Sequence, residues 1–216
     1  MKSKTLNALI ISLFTLSILF SVESFAQERK VEFIGGMGVG SSSFINYSPV
    51  SSLGNVNDVS NSFLYYINLG FNFNQKVGLD LKLRVNQSNF IQDNGLGNIL
   101  EEQSSLVYFG INPKVIFPIT NKVDIIPFIG IGGLFQGSKI DLNGSSYTPT
   151  RFGLATNLGL SVNYELTSMF YVSATIETLV GNLKKSELPN ALETFRNNNL
   201  NRLNSYDFSF SFNIKL

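Results

Sequence analysis

The sequence predicts an all-β fold, an eight-stranded antiparallel up-and-down transmembrane β-barrel, from three observations. Apolar residues recur at every second position in eight separate stretches beginning at Val31. The connections between those stretches alternate between tight and long. Only 14% of the 216 residues are charged, well under the roughly 25% of an average soluble domain.

Residues 1–26 read as a cleavable secretory signal, with residues 27–216 forming the barrel domain. Lys2 and Lys4 form a basic start, an apolar run covers Ala8 to Val22, and Ser24-Phe25-Ala26 offers small residues to a signal peptidase. A spanning helix wants about twenty apolar residues; this run is shorter and carries Ser12, Thr15, Ser17 and Ser21. Removing Lys2, Lys4 and Glu23 leaves acidic and basic side chains equal in number. A neutral chain with no basic stripe has no electrostatic footprint for nucleic acid.

The strands follow in order. The first, Val31 to Val39, is Gly-rich. The second places Phe63, Tyr65, Ile67, Leu69, Phe71 and Phe73 on one face, with Asn68, Gly70 and Asn72 on the other. After a short turn, Val77, Leu79, Leu81, Leu83 and Val85 alternate with Asp80, Lys82 and Arg84. Val107 to Phe117 and Val123 to Ile131 keep an odd-numbered apolar row but also carry Tyr108, Ile116, Ile126 and Phe128 on the second face. Phe152 to Tyr164 and Phe170 to Val180 set apolar rows against Asn157, Ser161, Asn163, Ser173 and Glu177. The last strand is the clearest: Tyr206, Phe208, Phe210, Phe212, Ile214 and Leu216 alternate with Asp207, Ser209, Ser211, Asn213 and Lys215.

The tight connections are 74–76, 118–122 and 165–168; the long ones are roughly 42–61, 88–103, 135–150 and 182–204, rich in Asn, Ser and Gly. Short turns at one end and long loops at the other suit a barrel whose loops face the exterior. Alternation alone also fits a soluble barrel or sandwich, so the second face decides. The apolar rows hold no charge. The polar rows hold Glu32, Asp80, Lys82, Arg84, Lys114, Asp124, Arg151, Glu177, Asp207 and Lys215, five acids and five bases among Gly, Ser and Asn. Balanced charge among small residues suits a crowded interior, so the greasy rows are expected to meet lipid. Phe73, Phe117, Tyr164 and Phe170 near the short turns, and Phe63, Tyr65, Phe109, Phe152, Tyr206 and Phe208 near the long loops, form two girdles.

The Gly-rich first strand, the segment 112–122, Pro127-Phe128-Ile129-Gly130-Ile131-Gly132-Gly133 and the closing alternation resemble the small outer-membrane β-barrel proteins of Bacteroidetes-type bacteria, the porin-family or OmpX/OmpA-like barrels. The resemblance implies export to the bacterial outer membrane, with the membrane's lipid and the barrel-assembly machinery as partners. It also implies an assembly signal in the last strand, carried by Tyr206, Phe208, Phe210, Phe212, Ile214 and Leu216; that signal usually ends in Phe. It transfers no catalytic residues. Pro113 and Pro127 lack amide donors and are expected to cause bulges or local distortion of the ladder.

An eight-stranded barrel is just wide enough to be filled by side chains. The ten inward charges are therefore expected to neutralise one another in a plugged lumen, with Glu32 facing Lys215 and Lys114 between Asp80 and Asp124. The alternative for the same residues is a small porin-like channel for ions or small solutes. With no His and no Cys, imidazole- and thiol-based catalysis is excluded, and no enzyme activity, cofactor or metal is expected. Asp93, Glu101, Glu102, Asp141, Glu187 and Glu193 read as solvated loop charges rather than a calcium site. The fourth loop would place Leu188, Leu192 and Phe195 on one side of a short helix from Pro189, packed over the barrel mouth. Gly36-Met37-Gly38 and Gly130-Ile131-Gly132 lack a following helix, so they read as room for large neighbours rather than as phosphate loops. The remaining reading is a structural or surface-interaction protein that meets an extracellular ligand or surface partner through its loops.

Overall fold

The computed structural model describes residues 31–44, 60–93, 99–142, 145–184 and 202–215. The expected signal segment, the loop helix near Pro189, and Leu216 lie outside them. Ten strands are present among the described residues: β1 (Glu32–Phe44), β2 (Ser60–Asn72), β3 (Val77–Asp93), β4 (Ile99–Val115), β5 (Phe117–Pro118), β6 (Val123–Leu142), β7 (Ser145–Tyr147), β8 (Thr150–Glu165), β9 (Phe170–Leu183) and β10 (Arg202–Lys215). Eight of them form the wall. β5 continues β4 past Ile116, and β7 continues β8 across Thr148-Pro149, each on the same partner β6 and in the same register. Every neighbouring pair is antiparallel, and the sheet closes where β1 meets β10.

Among the described residues register is constant along every interface, with no bulge. Following the pairings around the wall from Glu32 through Asn72, Gly78, Lys114, Phe128, Gly159, Glu177 and Asp207 returns to β1 at Ser42, ten residues further along. A stagger of ten over eight strands requires a strand tilt of about 40°. On β2 the outward apolar row runs from Phe73 to Phe63, which at that tilt spans roughly 25 Å, the height of a hydrocarbon layer crossed by barrels.

The orientation follows from the side chains. Met37, Ile67, Phe109, Ile131, Leu154, Ile176 and Phe210 are all more than half exposed, whereas Arg84 and Asp207 on the opposite face are buried. Rings cluster at both rims of the apolar belt: Phe33 meets Phe71 edge-on at 5.3 Å and Phe170 stacks on Phe212 at 5.5 Å near the short turns, while Phe63 and Tyr65 sit 6.3 Å apart toward the other end.

Two expectations need correction. Most of 88–103 and 135–150 is strand rather than loop: β3 and β4 stay paired from Gln87↔Ser105 to Asp93↔Ile99, and β4 with β6 up to Leu100↔Leu142. Above the membrane the outward face meets water while inward Ser88, Ser104, Ser138 and Ile140 stay buried, so the outward apolar row stops while backbone pairing continues. The second concerns the prolines: neither produces a bulge, although the ladder is locally distorted at both. The β4–β6 ladder omits the pairs at Pro113 and Pro127, resuming between them at Lys114↔Phe128, whereas β3–β4 and β6–β8 run through both positions unbroken.

This orientation predicts a depth-dependent penalty for outward charge. Ile67→Arg, at mid-belt, should cost about 2–4 kcal/mol, and Asn182→Arg, above the belt, about 0–1 kcal/mol. Urea titration of the vesicle-inserted protein, read as the heat-sensitive mobility difference on a gel, measures both.

Candidate functional site

Inward positions come from even-numbered residues on β1 to β6 and odd-numbered residues on β8 to β10, as alternation across a closed wall dictates. Because β3, β9 and β10 are staggered by the tilt, residues far apart in sequence reach the same height. At mid-barrel, Lys82 Nζ lies 2.6 Å from Glu177 Oε2, and Arg84 bridges Glu177 and Asp207, its Nη2 donating to Asp207 Oδ1 at 2.9 Å and its Nη1 3.6 Å from Glu177 Oε1. All four residues are buried.

Neutral groups complete this cluster. Asn157 Nδ2 donates to Glu177 Oε2 at 3.1 Å, Arg84 Nε donates to Asn86 Oδ1 at 2.7 Å, and the hydroxyls of Ser42 and Ser205 donate to the Asp207 carboxylate. The Lys82 ammonium also sits 4.4 Å from the centre of the Tyr66 ring, a cation–π contact. Charges removed from water are tolerable when each is paired and its remaining lone pairs and protons are satisfied.

Nearer the short turns, Lys114 Nζ lies 2.6 Å from Asp80 Oδ1, and Lys215 Nζ lies 2.6 Å from Glu32 Oε1 at the partly exposed mouth. Asp124 also faces that end. Arg151 stands on β8 opposite Gln136, toward the other end and away from the central cluster. The lower half holds a polar chamber of about 50 Å³ lined by Asn68, Asp80, Asn112, Lys114, Asn163 and Tyr171 among others, room for a few waters.

Above the charges the interior changes character. Leu106, Tyr108, Leu134, Ala155, Leu179, Leu183 and Leu203 form one buried apolar cluster, with Leu64 also fully buried on the same inward face. Sequence reading missed it, because most of these residues fall at the ends of the polar rows or inside the segments expected to be loops. Their parity was the available signal: each shares the face of the polar row on its own strand. Inward glycines make space for large neighbours. A Cβ on Gly38 would come within 2.5 Å of the Tyr66 ring, and one on Gly110 or Gly132 would strike Tyr108.

Of the acids expected in the loops, Asp141 stands on β6 and accepts from Lys139 Nζ at 2.9 Å. The side chains of Asp93, Glu101, Glu102, Glu187 and Glu193 lie outside the described residues.

The sequence profile of the family described as "Outer membrane protein beta-barrel domain" matches residues 12–215. Among solved structures the chain is similar to the attachment invasion locus protein Ail of Yersinia pestis, determined with the heparin analogue sucrose octasulfate, at 12% identity and a TM-score of 0.53 over 87% of this chain and 99% of that one. A major outer membrane protein from Thermus thermophilus gives 13% identity and a TM-score of 0.53, over 85% of this chain and 98% of that one. At such identities the likeness shows the fold. No curated protein matches the sequence.

The central cluster sets a double-variant test. Glu177→Leu leaves Lys82 and Arg84 buried without their shared carboxylate and should cost about 3–5 kcal/mol. Adding Lys82→Leu should return part of that loss, a coupling of about 0.5–3 kcal/mol between touching residues, in the same urea titration.

Proposed function

Because the chain belongs to the outer membrane protein β-barrel domain family, we propose that it is a structural or surface-interaction protein of the bacterial outer membrane, with a closed lumen and its working surface outside the bilayer. Residues 1–26 direct export through the secretory pathway, and the last strand presents the assembly signal to the barrel-assembly machinery, as in the Bacteroidetes-type barrels it resembles.

One observation carries this reading: the charged cluster and the apolar cluster fill successive levels of the interior. A channel needs a continuous wetted path, whereas an apolar constriction expels water. The polar chamber below the charges favours a pore only in its own half of the barrel. The chain has no imidazole and no thiol, and the interior carboxylates Glu177 and Asp207 are engaged with Lys82 and Arg84, which supports a packing role for the interior.

The outward surface supports an interaction role. β3, β4, β6 and β7 continue beyond the apolar belt as a standing sheet, and the Ser88–Asp93 stretch of β3 pairs with β4 on one side and with no strand on the other among the described residues. An unpaired edge is a template for an added strand. An extracellular protein segment in extended conformation is the partner this edge suits.

Planar-bilayer recording separates closure from conduction. The refolded protein should give no steady openings, and the double variant Leu134→Ala, Leu179→Ala, which hollows the apolar cluster, should leak more often. Stable single-channel steps from the unaltered chain would overturn the reading.

A further inference from the structure

We propose that the outer face of the standing sheet holds a groove for the saccharide headgroup of a glycolipid in the outer leaflet. The groove has an open volume of about 570 Å³, within the roughly 300–1,000 Å³ of small-molecule sites. Its position comes from the register. Val85 and Val107 form the last apolar pair on β3 and β4, and the next outward pair, Gln87 and Ser105, is polar. The groove begins at that pair, immediately above the apolar belt, where a lipid's headgroup stands while its chains lie against the wall below.

Its chemistry is that of a polyol site. The carboxamides of Gln87, Asn89 and Gln103 and the hydroxyls of Ser105, Thr148 and Thr150 line it. Amides and hydroxyls both donate and accept, matching the paired donor and acceptor character of adjacent sugar hydroxyls. Among the described residues the lining carries one charged side chain, Lys139, whose ammonium is 2.9 Å from Asp141 Oδ2. Phosphate recognition relies on clustered Arg and Lys, and this face offers no such cluster among the described residues, so the sugar rather than a phosphate is the recognised group.

The groove also has a floor. Gly137 lies in it without a side chain, and a Cβ placed there would meet only the Phe135 ring, at 3.9 Å. The Phe135 ring is about half exposed at the lower rim, a flat apolar surface on which the C–H face of a pyranose can lie.

That open position provides a clean variant. Gly137→Phe fills the groove from a site where an added Cβ meets no backbone within 4 Å, so the barrel should keep its heat-dependent gel mobility. The probe is rough lipopolysaccharide, lipid A carrying core sugars, added to the full chain in detergent micelles and read by native mass spectrometry beside lipid A alone and phosphatidylethanolamine. The unaltered protein should retain lipopolysaccharide about tenfold more tightly than lipid A, which has only its phosphorylated glucosamine disaccharide and no core sugars, or phosphatidylethanolamine, which has no sugar, and Gly137→Phe should lose that tenfold preference. Freed core oligosaccharide should compete with it. Equal retention of lipid A and lipopolysaccharide, or an unchanged preference in Gly137→Phe, would overturn the proposal. If Gly137→Phe fails to fold, Gln103→Leu with Thr150→Val, which keeps the backbone and removes the polar lining, gives the same two outcomes. The readout is independent of conductance and of any protein partner, so it stands or falls apart from the proposed surface role.

Discussion

Inside hydrocarbon no water is available to an unpaired amide or carbonyl, so every backbone polar group in the membrane must find its partner within the protein. For a sheet this demands closure, and the eleven consecutive pairs between β1 and β10 supply it. Once the wall is closed with eight strands and a stagger of ten residues, its diameter is set. The space enclosed is narrow enough for side chains to meet across it, which is why Lys82, Arg84, Glu177 and Asp207, drawn from β3, β9 and β10, converge at one level. The inward glycines follow from the same limit: Tyr66 and Tyr108 occupy volume that only a missing side chain on the neighbouring strand leaves open.

The interior is graded along its axis rather than uniform. Its membrane-embedded lower half is polar and roomy enough for water, its middle is ionic, and its upper part is packed with leucine. Each level suits its surroundings. Buried charges there are held by several partners at once: Glu177 accepts from Lys82 and Asn157 and faces Arg84. The apolar side chains of the upper level need no such partners, and the polar ones beside them, Gln136, Ser104 and Ser138, hydrogen-bond to one another. Together the two levels bring side chains from most strands of the wall into contact across the interior.

The outward half of this architecture was legible in the sequence because lipid imposes one rule on it, and rows such as Phe63 to Phe73 or Tyr206 to Ile214 obey it without exception. The tight turns were legible for a related reason, since a short hairpin interrupts the apolar row where the chain leaves hydrocarbon. The standing sheet was not. Once the chain leaves the bilayer at Ser88 and Asn89, the outward row turns polar while the inward row holds small polar residues such as Ser88, Ser104 and Ser138, so side-chain hydrophobicity no longer separates a strand from a polar loop. The apolar interior cluster was obscured differently: Leu64, Leu106 and Leu134 share a face with Asn68, Asn112 and Gln136, so a strand read as one polar row conceals a change of environment part-way along it. The effect of Pro113 and Pro127 was expected, but its form required the neighbouring strands, because which ladder loses a pair depends on which side the missing amide would have faced.

Both prolines weaken a single seam, that between β4 and β6, and both lie in its lower portion. The other interfaces keep their ladders whole through the membrane. A cylinder with one perforated joint is mechanically anisotropic: lateral tension from the bilayer, or a pull on the standing sheet, concentrates strain along that joint. Within the membrane that joint carries fewer cross-strand pairs than its neighbours, so the cylinder's stiffness is uneven around its circumference.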